Sequence, residues 1–374
     1  MRQLEALGYM QGVTPAPPIS GVTKNLPDRT WSGFNFYTSG HASEAFLMDM
    51  EGNIVHEWKY DFGAAIPAKK PAKMPWRRAY MYENGDILAV FVGHALIRID
   101  RHSRLKWVYR AICHHDVFVT DDGFIYVLSR KAMIVPSIHE TEPVQDDFID
   151  VLDGDGNRLK RLSILECIRN SAYQWPLIEN VRERVTYRLM LGSERPGDMF
   201  HTNTIEVFDG SQEELSPFFR KGNLLVSLRE PGIVAIIDPE KEAVVWAVSG
   251  MWHLQHDPIL LDNGRMLVFD NRGNRGFSRV IEFDPFSQEI RWIFQGDPPE
   301  NFFSKECGAI QRLENGNTLI VESDNGRALE VAPDGAVVWE FVNPHRAGKN
   351  KNLIATLFDV VRIPKDRNLD WLEN

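Results

Sequence analysis

HDPILLDNGRMLVFDNRGNRGFSRVIEFDPFSQEIRWIF, residues 256–294, reads as four strands in succession. An apolar run leads into Asn263-Gly264, a second ends at Asp270, a third ends at Asp284, and a fourth carries Trp292. Asn-Gly between two apolar runs marks a hairpin, because a type I′ turn requires positive φ at both central residues. The pattern recurs. AYMYENGDILAVFVGHALIRIDRHSRLKWVYR spans 79–110, and AIQRLENGNTLIVESDNGRALEVAPDGAVVWEF spans 309–341. Two further copies are decorated. One begins HDVFVTDDGFIYVLSR at 115 and closes with DFIDVLDGDGNRLKRLSI at 147–164, with 131–146 inserted between. The other begins HTNTIEVFDG at 201, has a first hairpin lengthened by SQEELSPFFR, and continues through GNLLVSLREPGIVAIID to VVWAVS. Four strands repeated along a chain predict the blades of a propeller.

These copies make five blades, and the sixth is split between the chain ends. LFDVVRIP (357–364) is an inner strand with no outer partners. AFLMDMEGNIVHEW (45–58) is an outer hairpin without its inner pair, and FNFYTS (34–39) supplies the missing strand. Joining them removes an open sheet edge. The expectation is an all-β chain: a six-bladed β-propeller over 34–364, with N- and C-terminal strands closing one blade. Residues 1–33, with Pro15, Pro17, Pro18 and Pro27, read as an extended N-terminal arm in which LEALGYM forms a helical turn. Residues 365–374 read as a C-terminal tail. The largest insertion is 165–200, where LECIRNSAYQWPLIENVRERV reads as partly helical and broken at Pro176. It is either a cover for the channel mouth or a plain excursion.

Composition agrees with this class. The chain has 374 residues, 27 Gly and 21 Pro for many turns, and 10 Trp with 21 Phe to pack between sheets. A net charge of −10 gives no support to nucleic-acid binding as the main function, and none is expected. Lys69-Lys70, Arg77-Arg78 and Lys349–Lys351 read as solvated loop charges. Three cysteines without a CxxC argue against a disulfide framework and a Cys-rich zinc site, and each reads as a small buried side chain. No run approaches the length needed to span a membrane, and MRQLEALGYMQGV lacks the apolar stretch of a signal peptide.

The repeat also predicts a site. Eight residues before the turn glycine stand His115 (from Gly123), His256 (from Gly264), Arg77 (from Gly85) and Gly308 (from Gly316). His201 opens its decorated blade and is aligned by its strand start, so three consecutive blades present His115, His201 and His256 at one pole of the channel. Asn203 shares the face of His201 by alternation. Seven residues past the turn glycine stand Arg130, Arg229 and Asn271, near the end of the second strand. His, Asn and Arg gathered in one place are costly to bury without partners and read as an anion site. His114, His253, His94 and His345 are assigned structural roles, with His253 the main rival to His256. His56 and Asp49 belong to an outer hairpin.

HTNTIEV (201–207), GNLLVSLRE (222–230), QHDPILLDNGRMLVFDNRG (255–273) and the early MDMEGNIVHEW (48–58) together resemble the bacterial arylsulfotransferase family. The resemblance covers roughly residues 20–364 and rests on the order and spacing of these motifs. It implies an exported six-bladed propeller that moves a sulfuryl group from a phenolic sulfate ester to another phenol, without a nucleotide donor. The family's His-x-Asn motif matches His201 and Asn203. Its Ser-x-Arg matches Ser227 and Arg229, its nucleophilic histidine matches His256, and its earlier channel histidine matches His115. By the resemblance, His256 forms a sulfohistidine in ping-pong turnover and His115 handles the phenol proton. The resemblance also implies that His201, Asn203 and Arg229 hold the sulfonate, while Arg130, Asn271 and Arg77, placed by the repeat instead, are further candidate substrate contacts. No cofactor and no metal are implied. Known members carry an N-terminal β-domain used in dimer formation and a signal peptide, whereas this chain shows only a short arm. Self-association and an exported or periplasmic location are therefore expectations from resemblance alone. Two other readings stay open on the residues. Three histidines with an amide could hold manganese or zinc in a propeller lyase. The scaffold could also serve binding without catalysis.

Overall fold

The computed structural model describes residues 11–66, 74–192, 197–271 and 276–372. The helical turn expected at LEALGYM and the pair Lys69-Lys70 lie outside the described residues. The chain is a six-bladed β-propeller, each blade an antiparallel sheet of four strands, one of which gains a fifth. It divides into two compact units of three blades each.

The first unit comprises Met1–Val108, Phe277–Arg279 and Phe294–Asn374. One of its blades is the predicted closure. Leu357–Pro364 pairs with Gly33–Ser39, which pairs with Glu44–Met48 and then Ile54–Lys59. The second holds Trp76–Met81, Ile87–Phe91, Ala95–Ile99 and Leu105–Tyr109. The third holds Ala309–Arg312, Thr318–Glu322, Arg327–Val331 and Val337–Val342, and Gly21–Asn25 adds a fifth strand along Val337–Val342. Part of the proline-rich arm is thus sheet, and it covers an edge that would otherwise expose unpaired N–H and C=O groups. The tail is also held. Trp371 is buried against Trp58 and His56. Gly85, with φ 79°, sits under the Trp371 ring, which a Cβ there would approach to 2.6 Å.

Closure of the split blade is fastened by Arg362, which is fully buried. Its Nη1 donates to Glu330 Oε2 at 2.8 Å and to the Trp31 carbonyl, and its Nε donates to Asn35 Oδ1 at 2.7 Å. The guanidinium also lies 5.0 Å from the centroid of the Trp339 ring. Residues from three parts of the chain thereby share one cation.

A second polar cluster in this unit stacks the His41 and His345 rings at 3.6 Å, with Tyr37 Oη 3.3 Å from His345 Nε2 and His41 Nε2 2.9 Å from Glu44 Oε2. Burial, then the neighbouring His41, lowers the His345 pKa from 6.5 to about 4. Glu44 opposes this shift and Arg346 adds to it. A histidine held neutral in the fold but free to protonate when unfolded stabilises above the unfolded pKa, and that stability is lost as pH falls toward the folded value. Urea midpoints should therefore decline between about pH 6.5 and about pH 4, by at most about 3 kcal/mol from this group. His345→Gln should flatten that window, and an unchanged slope would show that His345 does not cause it.

The second unit comprises Tyr109–Gly276 and Val280–Ile293. Its first blade is Cys113–Val119, Ile125–Val135, His139–Leu152 and Arg158–Ser163. Residues 131–146, expected as an insertion, continue the ladder: Lys131 pairs with Asp146, Ala132 with Gln145 and Met133 with Val144. The next blade is Thr202–Val207, Leu224–Leu228, Ile233–Asp238 and Ala243–Ser249. The last is His256–Leu260, Met266–Asp270, Arg279–Phe283 and Ile290–Gln295. The three cysteines are free thiols and buried.

Between the first two of these blades lie two helices. Ile164–Arg169 is capped by Ser163, whose Oγ accepts from Glu166 N at 3.0 Å. Ser-x-x-Glu is the signature of such a start. The second helix runs Gln174–Met190. The break expected at Pro176 falls instead before Gln174. Pro176 is the third residue of the helix, where its missing N–H would have had no intrahelical acceptor. Leu177, Val181 and Val185, spaced by four, bury one face in a core shared with Leu165, Cys167 and Ile168. Among the described residues no helix is long and apolar enough to cross a membrane.

Candidate active site

The first strands of the second unit do not run as regular ladders. Pairing slips between Val127 and Ser129 opposite the His115 segment, between Thr202 and Thr204, and between His256 and Ile259. The strand of Arg77 slips likewise, between Trp76 and Ala79. A β-bulge re-aims side chains that strict alternation would send elsewhere. His115 (φ 50°), His201 (φ 49°), Leu254 (φ 56°) and Asp257 (φ 53°) take left-handed backbone there. His, Asn and Asp enter this region more readily than other non-glycine residues, which suits HHDV, HTN and QHDP. Left-handed backbone costs of order 1–3 kcal/mol per residue and persists where surroundings enforce it.

The bulges also change the alignment of the repeat. Counted from the first pair after each turn (Val119–Ile125, Val207–Leu224, Leu260–Met266), Asn203 takes the position of His115 and His256. His201 stands two residues earlier. The lengthened first hairpin hid this offset from the sequence. His201 nonetheless meets His115, with ring centroids 4.6 Å apart at 62°.

Each strand supports the next. Asp116 Oδ2 accepts from Ile205 N at 2.9 Å, Asp147 Oδ2 accepts from Thr202 N at 2.7 Å, and Thr204 Oγ1 accepts from Asp257 N at 2.9 Å. Asn203 Nδ2 donates 2.8 Å to the carbonyl of Gln255, the residue before His256. Neighbouring first strands are thus fixed by side-chain bonds to backbone, which holds the site without relying on loops.

His256 is buried, and its Nδ1 faces two oxygens: the Leu254 carbonyl at 3.0 Å and Asn271 Oδ1 at 2.7 Å. A carbonyl can only accept, so Nδ1 carries the proton and Nε2 carries the lone pair. His253 is exposed, and its backbone N–H donates to Asp270. The two histidines of this motif thus differ in burial and in partners.

His201 Nδ1 lies 2.7 Å from Asp198 Oδ2. Burial raises the Asp198 pKa, but His201, Arg130 and Arg188 outweigh it and hold the carboxyl well below the usual carboxylate range. Arg130 Nη1 donates to Gln145 Oε1 at 2.9 Å and lies 3.8 Å from Asp198 Oδ2. Arg229 Nη1 donates to Glu230 Oε1 at 2.7 Å. Glu230 is also 3.1 Å from Arg188, which donates to the Asp198 carbonyl at 2.8 Å. The arginines expected to form an anion site are therefore oriented by carboxylates rather than left as bare charge.

The second unit brings together His115, His201, Asn203, Arg130 and Arg229 through these contacts, with His256 and Asn271 on the adjoining strands. Arg77 stands in the first unit, where Nη1 donates to Cys307 Sγ at 3.0 Å and the guanidinium lies 5.0 Å from the Phe358 centroid. Sequence reasoning missed Asp147, Gln145, Asp198 and Arg188. Gln145, Asp198 and Arg188 come from the two insertions, where the repeat offers no register, and Asp147 opens the outer hairpin that follows the first of them. One signal was present: Asp198 precedes His201 by three residues in the same short segment.

Residues 95–344 match the family described as Arylsulfotransferase (ASST). The chain belongs to the arylsulfotransferase family. The matched span includes every residue of the cluster in the second unit, and Arg77 falls outside it. No curated protein matches this family member in sequence. Among solved structures, a protein of unknown function from Bacteroides caccae aligns with TM-score 0.57 at 17% identity, over 88% of this chain and 98% of that one. A streptogramin B lyase aligns with TM-score 0.47 at 12% identity, over 94% and 96%. The first likeness shows a shared fold alone. The second carries no argument about activity.

Proposed function

We propose that the chain is an aryl-sulfate sulfotransferase that moves a sulfuryl group to a phenolic acceptor through a sulfonated His256. The orientation of His256 carries this reading. With Nδ1–H held by Leu254 and Asn271, Nε2 presents a neutral nucleophile. In the first half-reaction Nε2 bonds to sulfur while the bond from sulfur to the aryl oxygen breaks. The electron pair leaves on that oxygen, and protonated His115 supplies its proton. In the second, the acceptor phenol returns a proton to His115, its oxygen bonds to sulfur, and the N–S bond breaks to restore His256.

Sulfuryl transfer resembles phosphoryl transfer, with a loose transition state and charge on the equatorial oxygens. His201, Asn203 and Arg229 are assigned to those oxygens, with Arg130 as a further substrate contact. Asn271 acts on the substrate through His256, and Arg77 is assigned no role in either half-reaction. The buried positions of His115, Asn203, Arg229 and His256 favour fixed donors over mobile ones. The test is rapid mixing with a chromogenic aryl sulfate. A burst of phenol equal to the enzyme, before any acceptor is added, together with a sulfonated histidine by mass analysis, is the expected result. Phenol release that requires acceptor from the first turnover would overturn the intermediate.

A further inference from the structure

His114 reads from sequence as a structural residue, yet in the fold it lies between the buried Asp147 and His115, within ion-pair distance of the first and hydrogen-bond distance of the second. Its Nδ1 lies 2.9 Å from His115 Nδ1, and its Nε2 lies 3.4 Å from Asp147 Oδ1. His114 and Asp147 are both fully buried. Asp147 Oδ2 already accepts from Thr202 N, which orients the carboxylate. We propose that Asp147 and His114 are positioning residues that set which ring nitrogen of His115 carries the proton; the consequence for turnover rests on the sulfotransferase reading.

The chemistry follows from donors and acceptors. A carboxylate accepts only, so His114 turns Nε2–H toward Asp147 and keeps a lone pair on Nδ1. His115 must then donate its Nδ1–H to that lone pair. Burial, then the charge of Arg130, lowers the His114 pKa, which keeps its ring neutral and able to accept. His115 consequently exchanges protons at Nε2 alone. Charged, it donates from Nε2 to a leaving phenolate. Neutral, it retains Nδ1–H and offers the Nε2 lone pair to an acceptor phenol. Atoms balance across the pair of steps, because the proton given in one is regained in the other. The logic matches the carboxylate that orients the histidine of a Ser-His-Asp triad, with a second imidazole between.

Asp147→Asn tests it with little change of shape. The oxygen of the introduced amide can keep the Thr202 N–H, which points the amide NH2 at His114 Nε2. That forces the proton of His114 to Nδ1 and removes the acceptor for His115. Ring-nitrogen NMR of 15N-histidine protein reads the tautomer without any substrate. His115 should be protonated at Nδ1 in the wild type and should move to Nε2 in Asp147→Asn. Transfer to acceptor should fall about 100-fold, with the pH–rate profile displaced.

A wild-type His115 protonated at Nε2, or an Asp147→Asn protein with unchanged tautomer and rate, would overturn the proposal. The expected tautomers without any aryl sulfate turnover would support the relay and sink the sulfotransferase reading instead.

Discussion

His256→Ala is expected to abolish turnover of a chromogenic aryl sulfate, by about 10³-fold or more, while the protein remains folded. The size of the effect comes from losing the only group assigned to form a bond to sulfur. Oriented donors alone leave residual catalysis, so activity need not reach zero. The fold should tolerate the change, because the bonds of His256 Nδ1 to the Leu254 carbonyl and the Asn271 amide are single contacts in a strand held by its own ladder. The tryptic peptide ending at Arg265 should carry the sulfonated histidine in the wild type and lack it in the variant. His253→Ala is the internal control, since that ring is exposed, and it should leave both readouts in place. Full turnover by His256→Ala would remove the nucleophile from the scheme, and with it the ping-pong order.

Glu330→Leu should cost about 3–5 kcal/mol of stability, read as a fall in the urea midpoint. Arg362 keeps its bonds to Asn35 and Trp31 in that variant but loses its carboxylate partner, in a site where neither member of the pair reaches solvent. Removing one member of a buried pair leaves a charge without compensation, and that penalty exceeds the worth of the pair itself. The double variant Arg362→Met, Glu330→Leu should therefore recover a large part of the loss. Equal destabilisation by the single and double variants would show that the Arg362 charge does not dominate, and would point to the bonds Glu330 Oε1 accepts from Trp31 N and Asn317 Nδ2. Because Arg362 fastens the strand that closes the blade, the first unit should be the part that opens most readily in Glu330→Leu. Amide exchange along Gly33–Ser39 and Leu357–Pro364 reports this directly.

The blade count, the split blade and the family were all legible in the sequence, because short hairpin patterns recur along the chain in a fixed order. Asn-Gly and Asp-Gly turns impose hairpins locally, and strand alternation follows from the backbone. The pairing of Leu357–Pro364 with Gly33–Ser39 was inferred by matching an unpartnered inner strand to an incomplete hairpin. Proline at 176 misled, since its local effect depends on whether it falls in the first turn or the interior of a helix. The alignment of His201 misled for a related reason: a lengthened loop removes the count on which register depends, and the bulges shift it again.

What the sequence determined alone was a periodic scaffold and the residue types offered at its repeated positions. Those types include His, Asn and Asp, which tolerate the left-handed backbone at the bulges. Only the tertiary structure decided which groups meet. Asp198 beside His201 and Asp147 behind His114 involve residues the repeat does not align, and Asn271 against His256 depends on a bulge in their shared hairpin. A hydrogen bond depends on a few tenths of an ångström and on angle, whereas repetition in sequence specifies only which strand and roughly which height. The tautomers that give each imidazole its chemistry are set at that finer scale.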